Sequence, residues 1–152
     1  MRYRVYSDYL KEKYGEKVYK LPINLPLSCP NRDGELSYEG CYFCGEKGTG
    51  YESLSDKFSV KEQIQKNKDY ISSKYKAKKF IPYFQNFSNT YLNIKDLEYY
   101  LEEAATATDD IVGISIATRP DCINDKYLDL LKNIKEKFCV DITVELGLQT
   151  VN

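Results

Sequence analysis

The chain has 152 residues, 42% of them hydrophobic and 30% charged, with a formal net charge of −1. That length is one domain or part of one, enough to bury a real core, and the balanced charge calls for neither a nucleic acid nor a membrane as partner. Histidine is absent, which removes Ser-His-Asp and Cys-His catalysis and every His-ligated metal site from this stretch of chain.

No apolar run approaches the ~20 residues needed to span a bilayer. The N-terminus, MRYRVYSDYLKEKYGEK, has no apolar centre of the kind a signal peptide carries. The reading is a cytoplasmic protein with no membrane partner. In that setting its five cysteines are metal ligands or buried thiols rather than disulfides.

Residues 1–20 form a polar, Tyr-rich extension. Tyr6, Tyr9, Leu10 and Tyr14 stand at near-helical spacing, which predicts a short helix packed on a larger body. KLPINLPLS (Lys20–Ser28) alternates apolar residues and reads as a strand despite its prolines. Three amphipathic helices follow, separated by strands. The first opens on a capping box of Ser59 and Glu62 and carries Val60, Ile64 and Ile71 on one face. The second starts at the N-cap Asn93, with Ile94, Leu97, Leu101 and Ala105 as its stripe. The third starts near Asn124 and buries Tyr127, Leu131, Ile134 and Phe138. The intervening strands are Lys79–Gln85, Ile111–Thr118 and Val140–Thr150.

This order, β–loop–α–β–α–β–α–β, is that of an α/β fold with a parallel sheet and right-handed crossovers. In the last strand Val140, Ile142, Val144, Leu146 and Leu148 share one face, opposite Asp141, Thr143, Glu145 and Gly147. In the third, Val112, Ile114 and Ile116 oppose Gly113, Ser115 and Ala117. Parallel strands packed on both faces should be apolar on both, so a small, polar inner face implies a lumen that holds something polar. The last strand ends two residues before the chain does, with no helix to cover it. A bare edge of that kind invites pairing with another copy, and the chain is expected to be the N-terminal part of a longer protein.

Three of the five cysteines lie in CPNRDGELSYEGCYFC, Cys29 to Cys44, spaced C-x11-C-x2-C in a loop rich in turn-forming residues. Burial as simple hydrophobes suits Cys122 and Cys139 but not these three, whose surroundings are polar. Zinc is a competitor, because C-x2-C is half of a common zinc ribbon. A structural zinc wants a fourth ligand, which only Cys122 could supply. Three thiolates fit a [4Fe–4S] cube with one iron left open, a catalytic arrangement. The loop follows a parallel strand, at the sheet edge where ligands bind in such folds.

The loop, with Phe43 immediately before its last cysteine, resembles the cluster loop of radical S-adenosylmethionine (SAM) enzymes. The commonest spacing there is C-x3-C-x2-C, so the first gap departs from the pattern. A long first gap is similar to that of the elongator-protein-3-like branch and of the bacterial family called YhcC-like. Two further stretches carry the likeness: ATRPD (Ala117–Asp121) and VELGLQT (Val144–Thr150). A second departure is FQNFSNTY (Phe84–Tyr91), which stands where the superfamily often has a GGE-like turn.

The resemblance implies a partial (β/α)6 barrel, broken off here after about the fourth strand, with residues 21–152 as the N-terminal portion of its core domain. It implies a [4Fe–4S] cluster on Cys29, Cys41 and Cys44, with SAM chelated at the open iron. One electron from an electron donor cleaves the sulfonium bond to give a 5′-deoxyadenosyl radical. It also places Phe43 against the adenine, and Gln85, Asn86, Ser88 and Asn89 near the methionine end. Arg119, Glu145 and Gln149 are candidates for the ribose and carboxylate, though a structural ion pair would account equally for Arg119 and Glu145. The elongator-like branch acts on the wobble uridine of transfer RNA, so the expected substrate is tRNA, with a small molecule as the alternative. Seven lysines between Lys61 and Lys79 could meet phosphates or simply form a solvated helix face. A zinc- or cluster-stabilised nucleic-acid-binding module without turnover is the rival class. The fragment on its own is expected to be inactive.

Overall fold

A computed structural model describes residues 3–42, 44–45 and 52–147. In chain order its elements are α1 (Tyr6–Tyr14), β1 (Val18–Ile23), α2 (Val60–Tyr75), β2 (Lys79–Phe84), α3 (Ile94–Ala105), β3 (Gly113–Thr118), α4 (Asp125–Phe138) and β4 (Asp141–Leu146). Single 3₁₀ turns at Asn89–Tyr91 and Pro120–Cys122 follow β2 and β3. The four strands form one sheet in the order β1-β2-β3-β4, every pair parallel. The fold is α/β, a partial barrel-like arrangement, with the carboxyl ends of all four strands along one rim.

Each crossover helix starts where the sequence signals it. Ser59 and Glu62 form a complete capping box at α2. Asn93 caps α3 by accepting the Asp96 amide, and Asn124 caps α4 by accepting the Lys126 amide. These caps satisfy amide donors that the helix itself cannot. The apolar stripes of the three helices meet one face of the sheet. Val60, Ile64, Leu97, Leu101, Leu131 and Ile134 pack there on Leu21, Ile23, Phe80, Phe84, Ile114 and Ile116. Each such side chain contributes about 1.5–3 kcal/mol by leaving water.

Several sequence expectations shift. β1 begins two residues earlier than the predicted strand and stops at Ile23, so residues 24–28 already belong to the loop. Ile94 is 37% exposed while Ala104 is fully buried, which rotates the buried stripe of α3 by part of a turn. Cys139 is exposed rather than buried in a strand, because it is the left-handed C-cap of α4 at φ 54°.

Val112 lies on the opposite face from the one its alternation predicts, packed with Leu10, Val18 and Ile81. The cause is Pro82 in the middle of β2, which has no amide for the ladder. Pairing breaks between the Phe80–Ile111 bridge and the Tyr83–Ser115 pair, and the β3 side holds one more residue than β2 across that gap. A residue gained this way flips the alternation.

α1 lies on the face opposite the three crossover helices. Leu10 sits against Val18 and Ile81, with Tyr14 and Val112 at the margin. Tyr14 donates to Asp141 Oδ2 at 2.7 Å, and Lys13 pairs with the same oxygen at 2.9 Å. Part of what fills the lumen face is therefore this chain's own first helix.

Candidate functional site

The site is built at the carboxyl ends of the strands, and Asn24 is its hinge pin. Just past β1, its amide donates to Gln63 Oε1 and its carbonyl accepts from Gln63 Nε2, both at 2.8 Å. Its side chain accepts from Asn86 Nδ2 at 2.7 Å. Gln63 is fully buried and also reaches the Phe58 carbonyl. The start of α2, the end of β1 and the loop after β2 are thus locked together before the cysteine loop begins.

The long gap between the first two cysteines is a closed excursion. The Arg32 and Asp33 amides turn back on the Cys29 carbonyl at 2.8 and 3.3 Å, and the Leu36 amide returns to Pro30 at 2.8 Å. The Gly40 amide donates to the Asn31 carbonyl at 2.8 Å. Taking out residues 32–39, which that last bond closes off, leaves only Pro30, Asn31 and Gly40 between Cys29 and Cys41. A second turn brings the Cys44 amide to the Cys41 carbonyl at 2.9 Å.

Cys29, Cys41 and Cys44 line one cavity of about 740 Å³. The other walls come from β2 and the loop after it (Tyr83, Gln85, Ser88), from the end of β3 (Ala117, Thr118, Arg119) and from the end of β4 (Glu145, Leu146, Gly147). Cys29 is buried and the other two are half-buried. Burial pushes the Cys44 thiol up; Cys41 and Cys29 push the same way and Arg32 opposes them. Among the described residues no three Cys, Asp or Glu side chains converge on a point that could hold a single metal ion. A cube does not ask for that convergence, since each thiolate holds a different iron.

The other sequence-predicted residues divide into three groups. Gln85, Ser88, Arg119 and Glu145 stand in the cavity wall. Asn86 and Asn89 are buried behind it: Asn86 holds Asn24, and Asn89 Nδ2 donates to the carbonyls of Phe84, Asn86 and Ala117 at 2.9, 3.2 and 2.8 Å. Phe43 and Gln149 lie outside the described residues.

Arg119 and Glu145 do not pair with each other. Arg119 makes a two-pronged bond to Asp121 at 2.9 and 2.6 Å, which holds the Asp121 carboxyl below the usual range. Glu145 is held by Lys20 on one oxygen and by the Tyr83 hydroxyl at 2.8 Å on the other. Burial, then that bond, pushes the Tyr83 phenol well above its ordinary value. Cys122 is half-buried; burial and then Asp121 raise its thiol, and Cys29 lies near enough to add to the effect.

Sequence reasoning missed Asn24, Gln63, Asn31, Arg32, Lys20 and the Thr90–Thr118 hydroxyl pair, 2.6 Å apart. A fully polar Gln inside the apolar stripe of α2 was the signal for Gln63; the others carry none that spacing reveals. The lysine-rich segment is largely engaged within the chain: Lys68 pairs with Asp110, Lys78 with Glu16, and Lys79 with the Tyr14 carbonyl. Among the described residues no helix is long and apolar enough to cross a membrane.

No family model matches the chain. It is similar to protein YtqA of Bacillus subtilis, 40% identical over 151 residues that make up 99% of this chain and 46% of the relative. Protein YhcC of Escherichia coli is 35% identical over 143 residues, 94% of this chain and 44% of that one. Protein MJ0486 of Methanocaldococcus jannaschii is 34% identical over 149 residues, 97% and 44% of the two chains. The chain thus spans just under half the length of the curated relatives it matches.

Proposed function

We propose that the protein is a radical SAM enzyme whose cluster is held by Cys29, Cys41 and Cys44. The observation that carries this reading is the closed excursion. The Gly40–Asn31 bond turns a C-x11-C spacing into the equivalent of C-x3-C, and sets all three thiols on one cavity at the carboxyl rim of a parallel sheet. Ligands bind at that rim in folds of this class. The likeness of nearly the whole chain to YhcC, whose name is attached to one of the two branches the loop resembles, supports the same reading.

The donor set fits the group. Three sulfurs, no histidine and a cavity with room beside them suit a cube with one open iron better than a closed four-ligand zinc site. A bound [4Fe–4S] cluster with SAM supplies reductive cleavage of a sulfonium bond and, with it, hydrogen abstraction. The chain's own residues do the rest: the loop sets the thiols, Glu145 offers a carboxylate to a hydroxyl-bearing ligand, and Arg119 offers a cation to an acidic one. Activity belongs to the whole protein, with an electron donor, in the cytoplasm. The substrate we infer is the wobble uridine of tRNA, on the resemblance to the elongator-like branch alone.

Anaerobic reconstitution followed by iron and sulfide analysis tests the cluster. The expected result is a brown protein absorbing near 400 nm, with iron lost in each of Cys29→Ala, Cys41→Ala and Cys44→Ala and kept in Cys139→Ala. Full iron in Cys41→Ala, or a colourless protein holding zinc, overturns the reading. Nucleoside analysis of tRNA from cells lacking the protein tests the substrate; an unchanged wobble-uridine profile points to a small molecule instead.

A further inference from the structure

The excursion does more than bring two cysteines together. Asn31, which closes it, and Arg32, its first residue, turn back onto the other two thiol positions. Asn31 Nδ2 donates to Cys41 Sγ at 3.0 Å. Arg32 Nη2 donates to the carbonyls of Cys44 and Gly45 at 3.0 and 2.5 Å. The guanidinium stands 5.5 Å from the centre of the Phe87 ring and in the cavity wall itself. It also packs beside Gly40, where a Cβ would come to 3.0 Å from Arg32 Nε.

We propose that Asn31 and Arg32 set the reduction potential of the cluster, an inference that rests on the cluster reading above. The potential of an iron–sulfur centre follows from net charge, hydrogen bonds to its sulfurs and exposure to solvent. Reduction adds one electron and breaks no bond, so whatever stabilises the extra negative charge raises the potential. A fixed cation at the wall does this through space, in a cavity where charges are screened less than in water. A donor aimed at a ligand sulfur does it by drawing density from that sulfur. The chain has both, on adjacent residues, Asn31 at the closing bond and Arg32 as the first residue of the segment that lengthens the first cysteine gap. A spacing of C-x3-C without the excursion has no residue 32 to send back.

The test is a dithionite titration of the anaerobically reconstituted protein, dithionite being the one-electron donor, with the reduced cluster followed by electron paramagnetic resonance. Iron per chain is measured on each sample first. Arg32→Gln and Asn31→Leu are expected to keep wild-type iron and to shift the midpoint to more negative potential. Arg32→Lys, which keeps the charge and loses the fork, is expected to return close to the wild-type midpoint. Full iron with an unchanged midpoint in both Arg32→Gln and Asn31→Leu overturns the proposal. So does loss of iron in those two with retention in Arg32→Lys, which would make the pair a strut for the loop and nothing more. A wild-type protein that takes up no iron is a different failure, that of the cluster itself.

Discussion

The Gly40 amide and the Asn31 carbonyl, 2.8 Å apart, decide where the second cysteine sits. Gly40 can make that bond because its φ is +75°, a conformation closed to most side chains. A Cβ there would also press on Arg32 Nε at 3.0 Å. Gly40→Ala therefore strains the backbone by about 1–3 kcal/mol and displaces Arg32. The expected outcome is a lower urea midpoint and reduced iron uptake. Wild-type values for both would show that the excursion closes without this bond.

Asn89 is the residue on which the loop after β2 hangs. Its one amide group serves three carbonyls, from β2, the loop and β3, in a place almost closed to water. Asn89→Leu keeps the shape and removes the donors, leaving acceptors in a dry site at a cost of about 2–3 kcal/mol. Denaturant unfolding should register that loss. Ser88→Ala, which removes a single hydroxyl beside Cys122, should cost less.

Most of the fold was legible because it rests on local chemistry. The caps at Ser59, Asn93 and Asn124 follow from residues a few positions apart, and the structure uses them as written. The stripes of α2 and α4 hold at their centres, Val60, Ile64, Leu131 and Ile134, with Ile71, Tyr127 and Phe138 only half-buried and Gln63 and Leu130 buried in addition. The misplacements come from distance. Nothing near Val112 announces that Pro82, thirty residues earlier, interrupts its partner strand. Cys139 read as the start of a strand because its left-handed φ is imposed by the end of α4. At the site, residue types were legible and roles were not. Asn86 and Asn89 resemble ligand-binding amides in sequence, and only the tertiary structure shows their hydrogen bonds committed to Asn24 and to three carbonyls.

Asp141 ties α1 to the first residue of β4. The Tyr14 hydroxyl, then Lys13, hold its carboxyl below the usual carboxylate range. A carboxyl depressed in the folded state binds its proton more readily once unfolded. Its contribution to stability is present above the ordinary value, about 4, and is lost as pH falls through the lower folded value. Asp141→Asn should lower stability at neutral pH and flatten the decline between about pH 4 and the acid limit. Urea midpoints across pH 2.5–7 read both effects. An acid limb as steep in Asp141→Asn as in the wild type would assign the acid sensitivity elsewhere.

Glu145 stands in the cavity wall with its oxygens oriented from two other strands, Oε1 by Lys20 and Oε2 by Tyr83. Lys20 is itself held between rings, 4.1 Å from the centre of Tyr83 and 5.4 Å from that of Tyr6. A carboxylate has about four acceptor positions, so two such donors fix its direction and leave room for a ligand hydroxyl. If Glu145 meets the ribose of SAM, Glu145→Gln removes a charged acceptor worth about 1.5–3 kcal/mol, roughly a tenfold to hundredfold loss in affinity. Lys20→Met leaves the carboxylate in place but loosens its aim, so its loss should be smaller and in the same direction. Isothermal titration of the reconstituted protein with SAM measures both, with iron content showing that the cluster is intact. Equal affinity in Glu145→Gln and wild type would return Glu145 to a structural role, as the residue that joins β4 to β1 and β2 across the lumen.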